Sequence, residues 1–251
     1  MITNTEQSNM LAADSESRGI SIPVRPAWYL LALIAIVIAI SSKGMLSEGT
    51  VIMGDMPRHV MNGVFLYDAL RDLPSDPLKY AYHYFAQYPA LSLGHHPLLL
   101  PIAEVPAFAL AGISIFSSRL VIIGFMFIAV VFWFRLIRSL YDQHVAFFSS
   151  LLFITSHMVV RYSRVTMTEI SALAFMMLAI YFFHKSTITG RISNIVLCIL
   201  SLALSLYARL ILLFLVPLFI IWLLMEKPVR KQSRKVVCLL SASIILSLVP
   251  L

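Results

Sequence analysis

The chain has 251 residues, 60% of them hydrophobic and only 12% charged, with a formal net charge of +7. A soluble domain of this length carries about twice that share of charge, so composition excludes an ordinary water-soluble fold. The positive excess is not a nucleic-acid footprint, because most Lys and Arg stand at the ends of apolar runs; no nucleic-acid partner is expected.

Residues 1–26 hold no apolar stretch and read as a flexible cytoplasmic tail. The run 28–40 follows Arg18 and Arg25 and reads as the first membrane span. A cleaved signal peptide is the alternative, but Ser41-Ser42-Lys43-Gly44 makes a poor small-residue cleavage site.

Next comes Gly54-Asp55-Met56-Pro57-Arg58-His59. Val60, Val64 and Tyr67 then recur at helical spacing, with Met61 and Phe65 nearby, which predicts a helix resting at the membrane interface. Asp55, with Pro57 in the first turn, has two readings. As a helix N-cap it needs only an oxygen beside free backbone N–H groups; as a general base it needs a carboxylate. The segment Tyr80 to Pro89 is dense in aromatic rings and includes Tyr88. It suits an interfacial belt or a sugar-stacking surface. His95 and His96 have the donor type for a metal, although sequence neighbours seldom ligate one ion together and no further ligand spacing supports a site.

The segment 97–115 contains Pro97, Pro101, Pro106 and Glu104, a poor composition for a simple spanning helix. Six further apolar runs follow at 120–137, 145–160, 170–183, 192–207, 210–225 and 236–251. Each is near the short end of the roughly 17–25 residues a span needs. Between the third and fourth spans lie Arg161, Arg164 and Glu169, with Thr166 or Thr168 placed to cap the next helix. Arg209 stands between two apolar runs with almost no loop around it. Such an arginine pairs with an acid such as Glu169, snorkels to headgroups, or binds an anion. Together Arg209, Arg164 and Arg58 make a candidate phosphate site on the side of the membrane that carries Asp55. Cys198 and Cys238 lie inside apolar runs, so neither a disulfide framework nor a zinc motif is read.

Counting basic residues decides whether 97–115 crosses. If it does not, Arg135, Arg138, Lys185, Arg191, Lys227, Arg230, Lys231, Arg234 and Lys235 all face the cytoplasm, with Arg18 and Arg25. If it does, every later joint flips outward. The expected fold is therefore an all-α polytopic membrane helix bundle of about seven spans. Its N-terminus is cytoplasmic, and a long outer loop, 43–118, carries interfacial helices. No alternating segments of a β-barrel are present.

The order of these features resembles the N-terminal membrane module of GT-C fold glycosyltransferases of the protein O-mannosyltransferase and aminoarabinose transferase type. The resemblance spans most of 25–251. It rests on Asp55 soon after the first span, Arg58-His59 and an interfacial helix, and the Tyr88-to-Leu99 stretch with Gly94-His95-His96-Pro97. Ser118-Arg119-Leu120 opening a span, Thr168-Glu169 before the fourth, and Arg209 between the fifth and sixth complete it. It implies an inverting glycosyltransferase in the plasma (inner) membrane that moves a sugar from a polyprenyl-phosphate carrier to a lipid, glycan or protein acceptor on the outer side. Asp55 would be the base and Arg209 the holder of the departing phosphate. Glu169, with His95 and His96, would hold the acceptor or a divalent ion, the only cofactor implied. Met56 stands where the family often has a second acid, and the chain ends where members usually continue, so 27–251 reads as a module lacking its usual C-terminal part. The competing functions are a transporter or flippase using Arg164, Glu169 and Arg209, or a non-catalytic truncated paralogue.

Overall fold

The computed structural model describes residues 26–45, 54–94 and 96–225, and every regular element among them is helical. The expected all-α class therefore holds. The tail at 1–25, the apolar run at 236–251 and the basic joint at 226–235 lie outside the described residues.

Helix α1, Pro26–Ser41, is apolar all round and buries Leu33, Val37 and Ser41, which are spaced one turn apart along one face. The outer segment then folds into three helices. Helix α2, Met56–Asp72, starts with Pro57 in its first turn, where a missing N–H costs nothing. Helix α3, Pro77–Gln87, was not expected as a helix; the Asp76 side chain accepts from Lys79 N and Pro77 sets the first turn. Helix α4, Leu99–Ala111, is the proline-containing segment. At about 1.5 Å per residue its 13 residues reach about 20 Å, too short to cross a bilayer core of about 30 Å.

A tight turn at Gly112, whose φ is +79°, reverses the chain into helix α5, Ile115–Leu140. Ser114 caps this helix by accepting from Ser117 N at 3.1 Å. Helix α6, Gln143–Thr155, and the short α7, His157–Tyr162, replace the single span expected at 145–160. The reason is local. Thr155 Oγ1 donates back to the Leu151 carbonyl at 2.7 Å, and Ser156 N closes a tightened turn onto Phe153 O. Side-chain competition of this kind bends or breaks a helix.

Helix α8, Thr168–Thr189, ends on Gly190 in the left-handed region, and helix α9, Ile192–Ala208, packs back along it. The run at 210–225 also divides, into a 3-10 turn, Leu210–Phe214, and helix α10, Leu215–Met225. Pro217 explains the division, because it has no N–H for the Leu213 carbonyl and its ring would clash there.

Among the described residues, α5 and α8 are the two helices long and apolar enough to cross a membrane; α1, α4, α6, α9 and the 211–222 segment are apolar but shorter. One core joins α1, α4, α5, α6 and α8 around Phe125, Met126, Phe134 and Ile170. A second joins α8, α9 and α10, where the Phe183 and Phe219 rings stack with centroids 4.3 Å apart.

Helix α2 buries Met56, His59, Asn62, Gly63 and Phe65, while the expected apolar stripe of Val60, Val64 and Tyr67 is only half-buried. Small and polar residues let helices approach closely in an apolar medium, so they mark the protein-facing side there. Gly63 shows the effect: a Cβ added to it would run into the Glu104 carboxylate and sit 3.1 Å from Phe108 Cε2. Gly63→Ala is expected to separate α2 from α4 and lower stability by about 1–3 kcal/mol. Thermal unfolding of the detergent-solubilised chain checks this, and an unchanged midpoint would refute the close approach.

Candidate active site

Four chain segments end close together. They are the start of α2, the turns at 91–94 and 96–98, the start of α8 and the end of α9. Each brings a charged or imidazole side chain.

Asp55 occupies the N-cap position of α2, but its side chain makes no capping hydrogen bond. Its main-chain carbonyl takes Arg58 N and His59 N instead, at 3.0 and 3.1 Å. The carboxylate is thus left for other partners, and it is 48% exposed. Arg58 Nη1 and His96 Nε2 each stand 3.7 Å from its Oδ1. The capping explanation of this residue fails on geometry.

His96 is held by a clamp that sequence reading missed. Asn62 Oδ1 accepts from Ser92 N at 2.9 Å while its Nδ2 donates to Ser92 O at 3.3 Å. This reciprocal pair docks the 91–98 segment onto α2, and the His96 ring then meets His59 edge-on at 4.8 Å. His59 is buried. Burial first, then the neighbouring His96 and the charge of Arg209, lower its pKa from 6.5 to about 4, against the opposing pull of Asp55. His59 is therefore neutral at ordinary pH. The signal for this arrangement was the i, i+3, i+4 spacing of His59, Asn62 and Gly63, a stripe of small and polar residues along one face of the helix.

Glu169 sits in the first turn of α8, where the helix dipole favours an acid. Its Oε1 accepts from Arg209 Nη1 at 2.6 Å. Arg209 is in extended backbone between α9 and the 3-10 turn, which lets its side chain return across the helix ends. It remains 47% exposed despite the pair. The expected caps from Thr166 or Thr168 are not made: Met167 holds the N-cap position of α8 without a side-chain bond.

The structure brings together Asp55, Arg58, His59 and His96, and it pairs Glu169 with Arg209, whose charge reaches His59. It gives Arg164 another partner, with Nε donating to the Ile40 carbonyl at 3.0 Å. Tyr88 lies in an aromatic ladder with Tyr84, Phe65 and Tyr80 that packs α3 on α2. Tyr84 and Tyr80 donate to Asp68 and Asp72 at 2.8 and 2.9 Å, so these rings serve as struts. His95 lies outside the described residues. No group of three or more His, Cys, Asp or Glu that could hold a metal stands among the described residues.

What remains is an open Asp55 carboxylate flanked by Arg58 and His96, with the neutral His59 imidazole against His96, beside a half-exposed guanidinium. That set can remove a proton and hold an anion.

The sequence pattern of the family described as dolichyl-phosphate-mannose-protein mannosyltransferase matches residues 95–251, more than half of the chain. No curated protein and no solved structure matches it.

Because His59 is kept neutral in the folded chain, the unfolded chain binds more protons between pH 6.5 and about 4. Its contribution to stability is fully present above pH 6.5 and is lost as pH falls toward 4. His59→Gln is expected to flatten the acid side of the melting-temperature profile by about 3 kcal/mol at most. Parallel profiles for variant and wild type would contradict a buried neutral His59.

Proposed function

The chain belongs to the dolichyl-phosphate-mannose-protein mannosyltransferase family, and on that premise we propose that it is an inverting glycosyltransferase using a polyprenyl-phosphate sugar. The observation that carries this reading is the Asp55 carboxylate, which sits at a helix start yet caps nothing and stays open.

In the proposed reaction Asp55 takes the proton of an acceptor hydroxyl as that oxygen attacks the anomeric carbon. The new C–O bond forms on one face while the bond to the lipid phosphate breaks on the other, so the anomeric configuration inverts. The departing phosphate leaves with the bond's electron pair and needs positive charge where it develops. Arg209 and Arg58 supply it. The Glu169 pair does not prevent this, because Arg209 is 47% exposed and keeps guanidinium N–H groups open to an anion. It holds the guanidinium in place at little cost to anion binding. Glu169 and His96 face the acceptor side, and the neutrality of His59 avoids a further buried charge next to the base.

The membrane arrangement proposed with this chemistry has six crossings among the described residues, namely α1, α5, α6 with α7, α8, α9, and the 3-10 turn with α10. The seventh run expected from the sequence, 236–251, lies outside them. Helices α2, α3 and α4 lie on the outer side, the N-terminus is cytoplasmic, and the membrane is the plasma (inner) membrane. The support is the nine basic residues that then face the cytoplasm. The partners are a lipid-linked sugar donor and a lipid, glycan or protein acceptor.

Asp55→Asn is expected to abolish sugar transfer from dolichyl-phosphate mannose, by about 10²-fold or more, while the protein still inserts and melts normally. Retained transfer would reduce Asp55 to a structural residue. In contrast, Arg209→Ala is expected to raise the KM for the donor more than that for the acceptor; unchanged donor KM would leave Arg209 as a partner of Glu169 only.

A further inference from the structure

The carboxyl end of α1 is closed by side chains from elsewhere in the chain. A helix leaves its last carbonyls without internal partners, and an apolar medium supplies none. At this end the Ile38 carbonyl takes Ser42 N at 2.8 Å and the Ala39 carbonyl takes Ser42 Oγ at 3.2 Å. The Ile40 carbonyl takes Arg164 Nε at 3.0 Å, from the joint between α7 and α8. One turn on, Arg119 Nη1 reaches both the Gly44 and the Met45 carbonyls, at 2.6 and 3.0 Å, from the start of the second turn of α5.

Arg119 is 4% exposed. A buried cation at a helix N-terminus opposes its own helix dipole and loses its hydration, so this position is unfavourable by itself. The carboxyl end of α1 compensates both terms, since carbonyls and the negative end of that helix converge there. The same turn of α5 reaches α2 as well. Ser118 lies beside the Glu104 carboxyl, and Glu104 packs into the notch at Gly63. One turn of α5 therefore braces the helix that leads to Asp55 and the helix that follows it.

We propose that Arg119 and Arg164 are positioning residues for the transfer reaction, clamping the end of α1 so that Asp55 is presented in register at the start of α2. This assigns Arg164 to the backbone of α1 and leaves phosphate binding to Arg209 and Arg58. The catalytic half of the inference rests on Asp55 being the base; the clamp itself does not. A misplacement of about 1 Å at a reacting group costs about 10²-fold in rate, so a clamp remote from the substrate has a measurable role.

The test uses the full chain in liposomes, with Cys198 and Cys238 replaced by Ala. Spin labels go on Lys43 and Leu70, both exposed, to report the distance from the end of α1 to α2. Arg119→Ala is expected to broaden that distance distribution and to lower kcat with dolichyl-phosphate mannose by about 10–10²-fold. The donor KM is expected to stay within about twofold, as befits a group that does not touch the donor. Arg119→Lys and Arg164→Lys are expected to recover part of the lost rate. An unchanged distribution, or a donor KM raised about tenfold as for a lost phosphate ligand, would overturn the proposal. If Arg119→Ala fails to insert, Arg164→Ala carries the same readouts, because it removes one bond from a half-exposed residue. If the wild type transfers no sugar at all, the transferase reading fails, and the distance measurement alone decides the clamp.

Discussion

Unsatisfied backbone groups at helix ends organise this protein. A bundle of apolar helices has little use for charge along its length, but each helix leaves four N–H groups and four carbonyls open at its ends. Polar and charged side chains therefore gather there, and so does the candidate chemistry. Asp76, Asp142 and Ser114 spend their oxygens on backbone N–H groups and are structural. Arg119 and Arg164 donate their guanidinium N–H groups to backbone carbonyls. Asp55 and Glu169 stand at helix starts without capping them, and Arg209 stands at a helix end facing Glu169. Among acids at helix starts, that difference sets Asp55 and Glu169 apart from Asp76 and Asp142.

The site inherits its rigidity from the protein-facing stripe of α2. Gly63 admits Glu104, Asn62 holds Ser92, and His59 meets His96, all within two turns of Asp55. The aromatic ladder from Tyr80 to Tyr88 continues the same attachment outward through α3. A mannosyltransferase-type enzyme needs little covalent participation from its protein. It needs a base held at the acceptor, positive charge held at the phosphate, and water kept away, so prior rigidity of this kind matches the task.

Much of this was legible in the residues. Apolar runs locate α1 and α9 within a few residues and the middle of α5 and α8, because long apolar composition is the signal these helices share. The proline content of 97–115 foretold a short α4, and the order of Asp55, Arg58, His96, Glu169 and Arg209 led to the right family. The rest depended on contacts that one-dimensional patterns do not carry. The break at Ser156 comes from a Thr155 hydroxyl bonding backward, and the break before α10 from Pro217 acting on a carbonyl four residues earlier. On α2 the apolar stripe expected at the membrane interface is half-buried, and the polar stripe of His59, Asn62 and Gly63, which was not singled out, is the one that packs. Arg164 looked like a phosphate ligand because spacing cannot reveal that Ile40, 124 positions away, needs a donor. Glu104 looked merely out of place, yet it is the packing partner of Gly63.

The central claim is that the ends of α2, α8 and α9 form one donor-binding, proton-accepting site on the outer face. The most direct measurement is an electron cryo-microscopy structure of the chain in a lipid nanodisc with dolichyl-phosphate mannose bound. The account predicts the phosphate within hydrogen-bond reach of Arg209, the anomeric carbon facing the Asp55 carboxylate across a gap fit for an acceptor hydroxyl, and Arg119 still on the Gly44 and Met45 carbonyls. A phosphate bound away from Arg209, or at the opposite face of the bundle, would contradict it.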